Sequence, residues 1–122
     1  MIHIAQPQIG DAERRAVLEV LDSGMLAQGE KVREFEERFA DYVCAEHAVA
    51  VGNGTQALHL SLVAYGIGPG SKVVTSPFTF VSTASAILMT GAEVVFVDID
   101  PDTFNIDPSA ALYPDADALI PV

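Results

Sequence analysis

The stretch Val51-Gly52-Asn53-Gly54-Thr55-Gln56-Ala57 carries residue types suited to holding a phosphate. Two glycines let the backbone approach a ligand closely. A helix starting at about Thr55 would add unpaired N–H groups, the positive end of its dipole and the Thr55 hydroxyl. The same residues fit G-x-G-x-x-A, a dinucleotide fingerprint, which requires an acidic residue about 20 positions further on to bind a ribose hydroxyl. That position falls in Val73–Pro77, which contains no Asp, Glu or Arg. A phosphate outside a dinucleotide is therefore favoured, the bland alternative being a strand-to-helix turn that binds nothing.

A second candidate is Pro77-Phe78-Thr79-Phe80-Val81-Ser82-Thr83. It follows a predicted strand, and ligands of parallel sheets gather beyond the carboxyl ends of the strands, so this loop is expected beside the Gly54 turn. An aromatic ring there can stack on a planar heteroaromatic cofactor; the competing reading packs Phe78 and Phe80 into the core. Other groups offer less. His3, His47 and His59 lack metal-ligand spacing, so no metal site is expected. Cys44 has no basic neighbour to activate it and is expected to be a buried, inert thiol. Asp98, Asp100 and Asp102 alternate without the glycine and terminal glutamate of a calcium loop, and read as a solvated turn.

The elements that must position these residues follow from hydrophobic periodicity. A surface helix is expected from Asp11, taken as its N-cap, to a stop at Gly24. A second, over about 30–43, places Val32, Phe35, Phe39, Tyr42 and Val43 on one face that needs a partner. Beyond it, β-rich runs at 48–51, 73–76 and 94–97 alternate with helices over about 55–65 and 80–90, with Gly66, Gly68-Pro69-Gly70 and Gly91 at the turns. That alternation predicts a parallel α/β sheet. The acidic run after Asp98 is expected to be loop, with an extended piece at Phe104–Ile106 and one helical turn near Ala110. The closing ALIPV is expected to be a strand. A parallel strand needs cover on both faces, so the chain reads as the N-terminal part of something longer.

Composition removes several function classes. The 122 residues carry 17 Asp plus Glu against 6 Lys plus Arg, a formal charge of −11, and no basic cluster. Nucleic-acid backbones and anionic membranes both require a positive footprint, so neither is an expected partner. No apolar run approaches the roughly 20 residues of a membrane helix, and no signal-peptide pattern opens the sequence. With a single cysteine, a cytoplasmic protein is expected.

Taken in order, the segments LAQGEKVREFEERFADYV, HAVAVGNGTQALHLSL, GIGPGSKVVTSPFTFVSTASAI, GAEVVFVDIDPDTFNID and ALIPV resemble the DegT/DnrJ/StrS family of pyridoxal-phosphate-dependent nucleotide-sugar aminotransferases. The resemblance implies a fold-type I large domain, an α/β three-layer sandwich with a mostly parallel sheet, of which this chain is the N-terminal part. In it, 1–46 would supply N-terminal helices and 47–122 part of the sheet. It implies that Thr55 and the backbone of Gln56, following Gly54, hold the phosphate of pyridoxal 5'-phosphate and that Phe80 stacks on the pyridine ring. It further implies that Leu26, Ala27, Gln28 and Gly29 meet a nucleotide-sugar substrate, that an amino acid such as glutamate donates the amino group, and that the full-length protein is a homodimer.

The sequence also departs from the family. The lysine that carries the cofactor lies beyond the matched region, and neither Lys31 nor Lys72 sits in a motif resembling its segment. Without that nucleophile the polypeptide as written is expected not to turn over. The stretch between Asp107 and Ala118 is shorter than is usual in the family and carries Asp115 and Asp117 where basic residues are common. Two further readings stand beside the aminotransferase: a sugar dehydratase of the same family, and a non-catalytic α/β module that binds a phosphorylated ligand.

Overall fold

A computed structural model describes residues 5–109 and 113–122. The chain divides into two compact units, Met1–Ala50 and Val51–Val122.

The first unit holds two helices, α1 (Asp11–Ser23) and α2 (Glu30–Tyr42). The N-cap of α1 is Gly10, one residue before the expected Asp11. Glu13 decides this: its carboxylate accepts the Gly10 N–H at 2.7 Å, so the first turn closes one residue earlier. No residue of α1 is buried. On α2 only Ala40 is buried, and Phe35 and Phe39 stack at 5.8 Å on a face that stays about half exposed.

Helix α2 ends in a Schellman motif, with Ala45 N–H donating to Ala40 O at 2.9 Å and Cys44 N–H to Asp41 O at 3.2 Å. The residue that must turn left-handed is Cys44, at φ 55°, where a glycine is usual. The expectation of a buried thiol is therefore wrong: Cys44 is exposed, because a helix-terminating residue projects from the end of the helix and not from its packed face.

The second unit contains α3 (Gly54–Ala64), β1 (Lys72–Thr75), α4 (Ser82–Met89), β2 (Glu93–Phe96) and β3 (Ala118–Leu119). The sheet order is β2-β1-β3 and both pairings are parallel, as alternating strands and helices predict. Helix α3 ends like α2, with Ile67 N–H donating to Leu62 O at 3.0 Å, but here Gly66 supplies the left-handed residue without a Cβ penalty. Val73 and Val74, the apolar middle of central strand β1, are fully buried. Leu62 of α3, Ile87 of α4, Ile67 and Ala92 close around Val73, with Val94, Ala118 and Ile120 at the margin.

The expected strand at 48–51 does not form. Alternating Ala and Val favour an extended backbone, but no described strand offers this segment a ladder. Its Ala50 N–H instead donates to the Glu36 carboxylate at 2.7 Å. The helical turn expected near Ala110 falls outside the described residues.

The acidic loop is a built turn. Asp100 Oδ1 accepts the N–H groups of Thr103 and Asp102, each at 2.9 Å, and the Thr103 hydroxyl at 3.1 Å. Ile106 at its end pairs with Ile99 in an isolated antiparallel bridge. The Thr103 N–H, then the Asp102 N–H, then the Thr103 hydroxyl hold the Asp100 carboxyl below the ordinary aspartate value of 3.8. Because the folded value is depressed, the turn's contribution to stability is present above the unfolded value and is lost as pH falls through the folded one. An NMR titration of the Asp100 carboxyl is expected to give a midpoint below 3.8. A midpoint at or above that value would show that the turn does not persist in solution.

Candidate functional site

The carboxyl end of β1 runs into Ser76–Val81 and then into α4, whose first residue is Ser82. Ser76 is fully buried and its hydroxyl accepts the Phe78 N–H at 3.0 Å, which turns the chain sharply out of the sheet. Thr79 and buried Thr83 join hydroxyls at 2.9 Å, while Thr83 N–H donates to Phe80 O at 3.1 Å. Phe80 is thereby fixed at the mouth of α4 and is 78% exposed. The competing reading, in which both phenylalanines pack in the core, fails. Phe78 is also mostly exposed, with its ring 5.9 Å from that of Phe104.

The glycine-rich turn is built as tightly. Asn53 is the N-cap of α3 and its side-chain oxygen accepts the Gln56 N–H at 2.9 Å. The Gln56 carboxamide reaches back to accept the Gly52 N–H, also at 2.9 Å. A Cβ at Gly52 would come within 2.8 Å of that same oxygen, so any other residue there would displace it. A Cβ at Gly54 would meet nothing, and the space in front of the helix start is open. Gln56 is thus committed to holding the turn. Helix geometry leaves the Gly54 and Thr55 N–H groups as donors at the exposed end.

One contact unites the two segments: the Thr55 hydroxyl donates to the Ser82 hydroxyl at 2.8 Å. One helical turn further on, His59 Nδ1 lies 3.4 Å from Ala86 O. Helices α3 and α4 therefore run side by side in the same direction. Their N-termini open at one place, past the carboxyl end of β1, and two positive dipole ends converge where Phe80 stands exposed. Such an arrangement attracts an anion and offers a flat apolar surface beside it. The Gly54 turn and the Phe80 loop thus meet as expected.

Leu26, Ala27, Gln28 and Gly29 lie in the other unit, in the loop joining α1 to α2. Leu26, Ala27 and Gly29 line a surface cavity of about 390 Å³ together with Val20, Met25 and Val32. Sequence reasoning assigned no role to Asn53 or Ser82. The cap was readable, since asparagine followed three residues later by glutamine is close to a capping-box pattern. Ser82 gave no signal, because its partner lies 27 residues away.

The described residues contain no group of three or more metal-ligating side chains, and no described helix is long and apolar enough to cross a membrane. Residues 7–122 match the family model of the DegT/DnrJ/EryC1/StrS aminotransferase family. The chain belongs to this family. It is 54% identical over 119 residues to the spore coat polysaccharide biosynthesis protein SpsC of Bacillus subtilis (strain 168), covering 95% of this chain and 31% of that protein. It is 42% identical over 120 residues to the UDP-2-acetamido-2-deoxy-3-oxo-D-glucuronate aminotransferase of Pseudomonas aeruginosa, covering 96% and 33%. A Streptococcus pneumoniae protein described as a sugar aminotransferase and solved in its PMP-form superposes with a TM-score of 0.91 at 33% identity, over 98% of this chain and 31% of that one. This member of the DegT family therefore has the fold of the fold-type I aminotransferases and spans about a third of the length of the relatives it matches.

Proposed function

We propose that this DegT-family chain forms the cofactor-phosphate and ring-stacking part of a pyridoxal-phosphate-dependent enzyme. That enzyme moves an amino group from an amino acid such as glutamate to a nucleotide-linked keto sugar. The observation that carries the reading is the convergence of the α3 and α4 N-termini, joined by the Thr55–Ser82 hydroxyl pair, beside the exposed Phe80 ring. The donor set fits a phosphate ester: N–H groups and hydroxyls with no carboxylate among them, at the positive ends of two helices. Bound pyridoxal phosphate supplies the electron sink for transamination.

This chain's own residues bind and orient it. The Gly54 and Thr55 N–H groups and the Thr55 hydroxyl hold the phosphate, and the Asn53 and Gln56 side chains keep the turn in shape. Phe80 fixes the ring plane, since the Thr79–Thr83 hydroxyl contact and the Thr83 N–H hold the loop beneath it. In the same reading 1–46 and 47–122 are both parts of the cofactor-binding large domain. The Leu26–Gly29 loop meets the nucleotide sugar, and the full-length protein is a cytoplasmic homodimer.

Thr55→Ala in the full-length enzyme tests the reading. Loss of one hydrogen bond to a charged group costs about 1.5–3 kcal/mol, roughly a 10- to 100-fold weaker cofactor Kd. Equilibrium dialysis of the cofactor against both proteins measures it, and an unchanged Kd removes Thr55 from the site.

A further inference from the structure

Ser82 is the first residue of α4 and is half-buried against the start of α3, where its hydroxyl accepts the Thr55 proton at 2.8 Å. The α4 N-cap, Val81, makes no side-chain cap, and the hydrogen bond that the Ser82 hydroxyl makes is the one to Thr55. Thr55 has one hydroxyl proton and can aim it at one acceptor at a time, whereas a bound phosphate accepts hydrogen bonds and donates none at neutral pH. If Thr55 donates to an anion in the shared N-terminal opening, its proton turns away from Ser82. For Thr55 to donate to that anion and stay paired with Ser82, the bond must reverse, with Ser82 donating to Thr55 Oγ1 and Thr55 donating to the anion. The reversal needs rotation of both hydroxyl hydrogens and a small adjustment of the Ser82 side chain, since the present geometry suits donation from Thr55. A hydroxyl that accepts one hydrogen bond while donating another is polarised and becomes the stronger donor.

We infer that Ser82 is a positioning residue for the cofactor phosphate: it holds the Thr55 hydroxyl in place when the site is empty and strengthens it as a donor when an anion is bound. The inference rests on the assignment of Thr55 to the phosphate. It reaches the ligand through Thr55 alone, and that sets its test.

The full-length enzyme is prepared as wild type, Ser82→Ala, Ser82→Thr, Thr55→Ala and the double variant. Dissociation constants are measured by equilibrium dialysis for pyridoxamine phosphate and for pyridoxamine, which lacks the phosphate. Ser82→Ala is expected to weaken pyridoxamine phosphate about 5-fold, the worth of one ordinary hydrogen bond, and to leave pyridoxamine unchanged. Ser82→Thr, which keeps the hydroxyl, should restore the wild-type value. In the Thr55→Ala background, Ser82→Ala should have no further effect.

Equal weakening of both ligands by Ser82→Ala, or an undiminished effect without Thr55, would overturn the inference in favour of general packing. A normal pyridoxamine phosphate affinity in Ser82→Ala beside a weakened one in Thr55→Ala would overturn this inference and leave the phosphate assignment standing. A normal affinity in Thr55→Ala would overturn both.

Discussion

Ile87→Ala is expected to lower the unfolding free energy by about 2–5 kcal/mol, the range for truncating a fully buried aliphatic side chain. Ile87 has no exposed surface and lies among Leu62, Ile67, Val73 and Ala92, so it ties α4 to both the sheet and α3. The cavity it leaves faces central strand β1, which cannot shift to fill it without breaking its parallel ladders to β2 and β3. The buried apolar set is small, so one member is a large share of it. The adjacent Leu88 is 63% exposed, and Leu88→Ala serves as the control, expected to cost under about 1 kcal/mol. Urea midpoints of the three proteins decide the matter. Equal losses for Ile87 and Leu88 would mean that the core does not sit where α4 meets β1.

The second large effect is an absence of turnover. A polypeptide of these 122 residues, given pyridoxal phosphate, glutamate and a 2-oxo acid, is expected to form no more 2-oxoglutarate than free cofactor does. Transamination at an enzyme's rate needs a lysine amine at the cofactor. Lys72 opens β1, whereas Phe80 and Ser82 follow its carboxyl end, so the three remaining strand residues, about 10 Å of chain, lie between Lys72 and that end. Its backbone N–H is also tied to the Asp117 carboxylate at 2.8 Å, which fixes that end of the strand. Lys31 lies on α2 of the other unit, between the carboxylates of Glu19 at 3.7 Å and Glu34 at 3.8 Å. Turnover that disappeared in Lys72→Ala would make Lys72 the carrier and move the reaction to the opposite end of the sheet.

What the sequence alone determined was local. The stripes of α1 and α2, the alternation that produced β1, α4 and β2, and the glycine that ends α3 follow from periodicity and from φ preferences that neighbouring residues set among themselves. The glycine-rich turn before α3 was legible for the same reason, because its hydrogen bonds lie within one segment. So was the family, whose motifs are contiguous in the chain. Tertiary structure decided the rest. The Ala48–Val51 run has strand propensity, but a strand exists only where a second one supplies its ladder. Phe78 and Phe80 are apolar enough for a core, yet the buried Ser76 and the Thr79–Thr83 pair turn them outward. The Thr55–Ser82 contact joins residues 27 apart, through two helices brought together by packing on β1. No local rule encodes it, because the distance between two helix N-termini is set by the sheet that both cover.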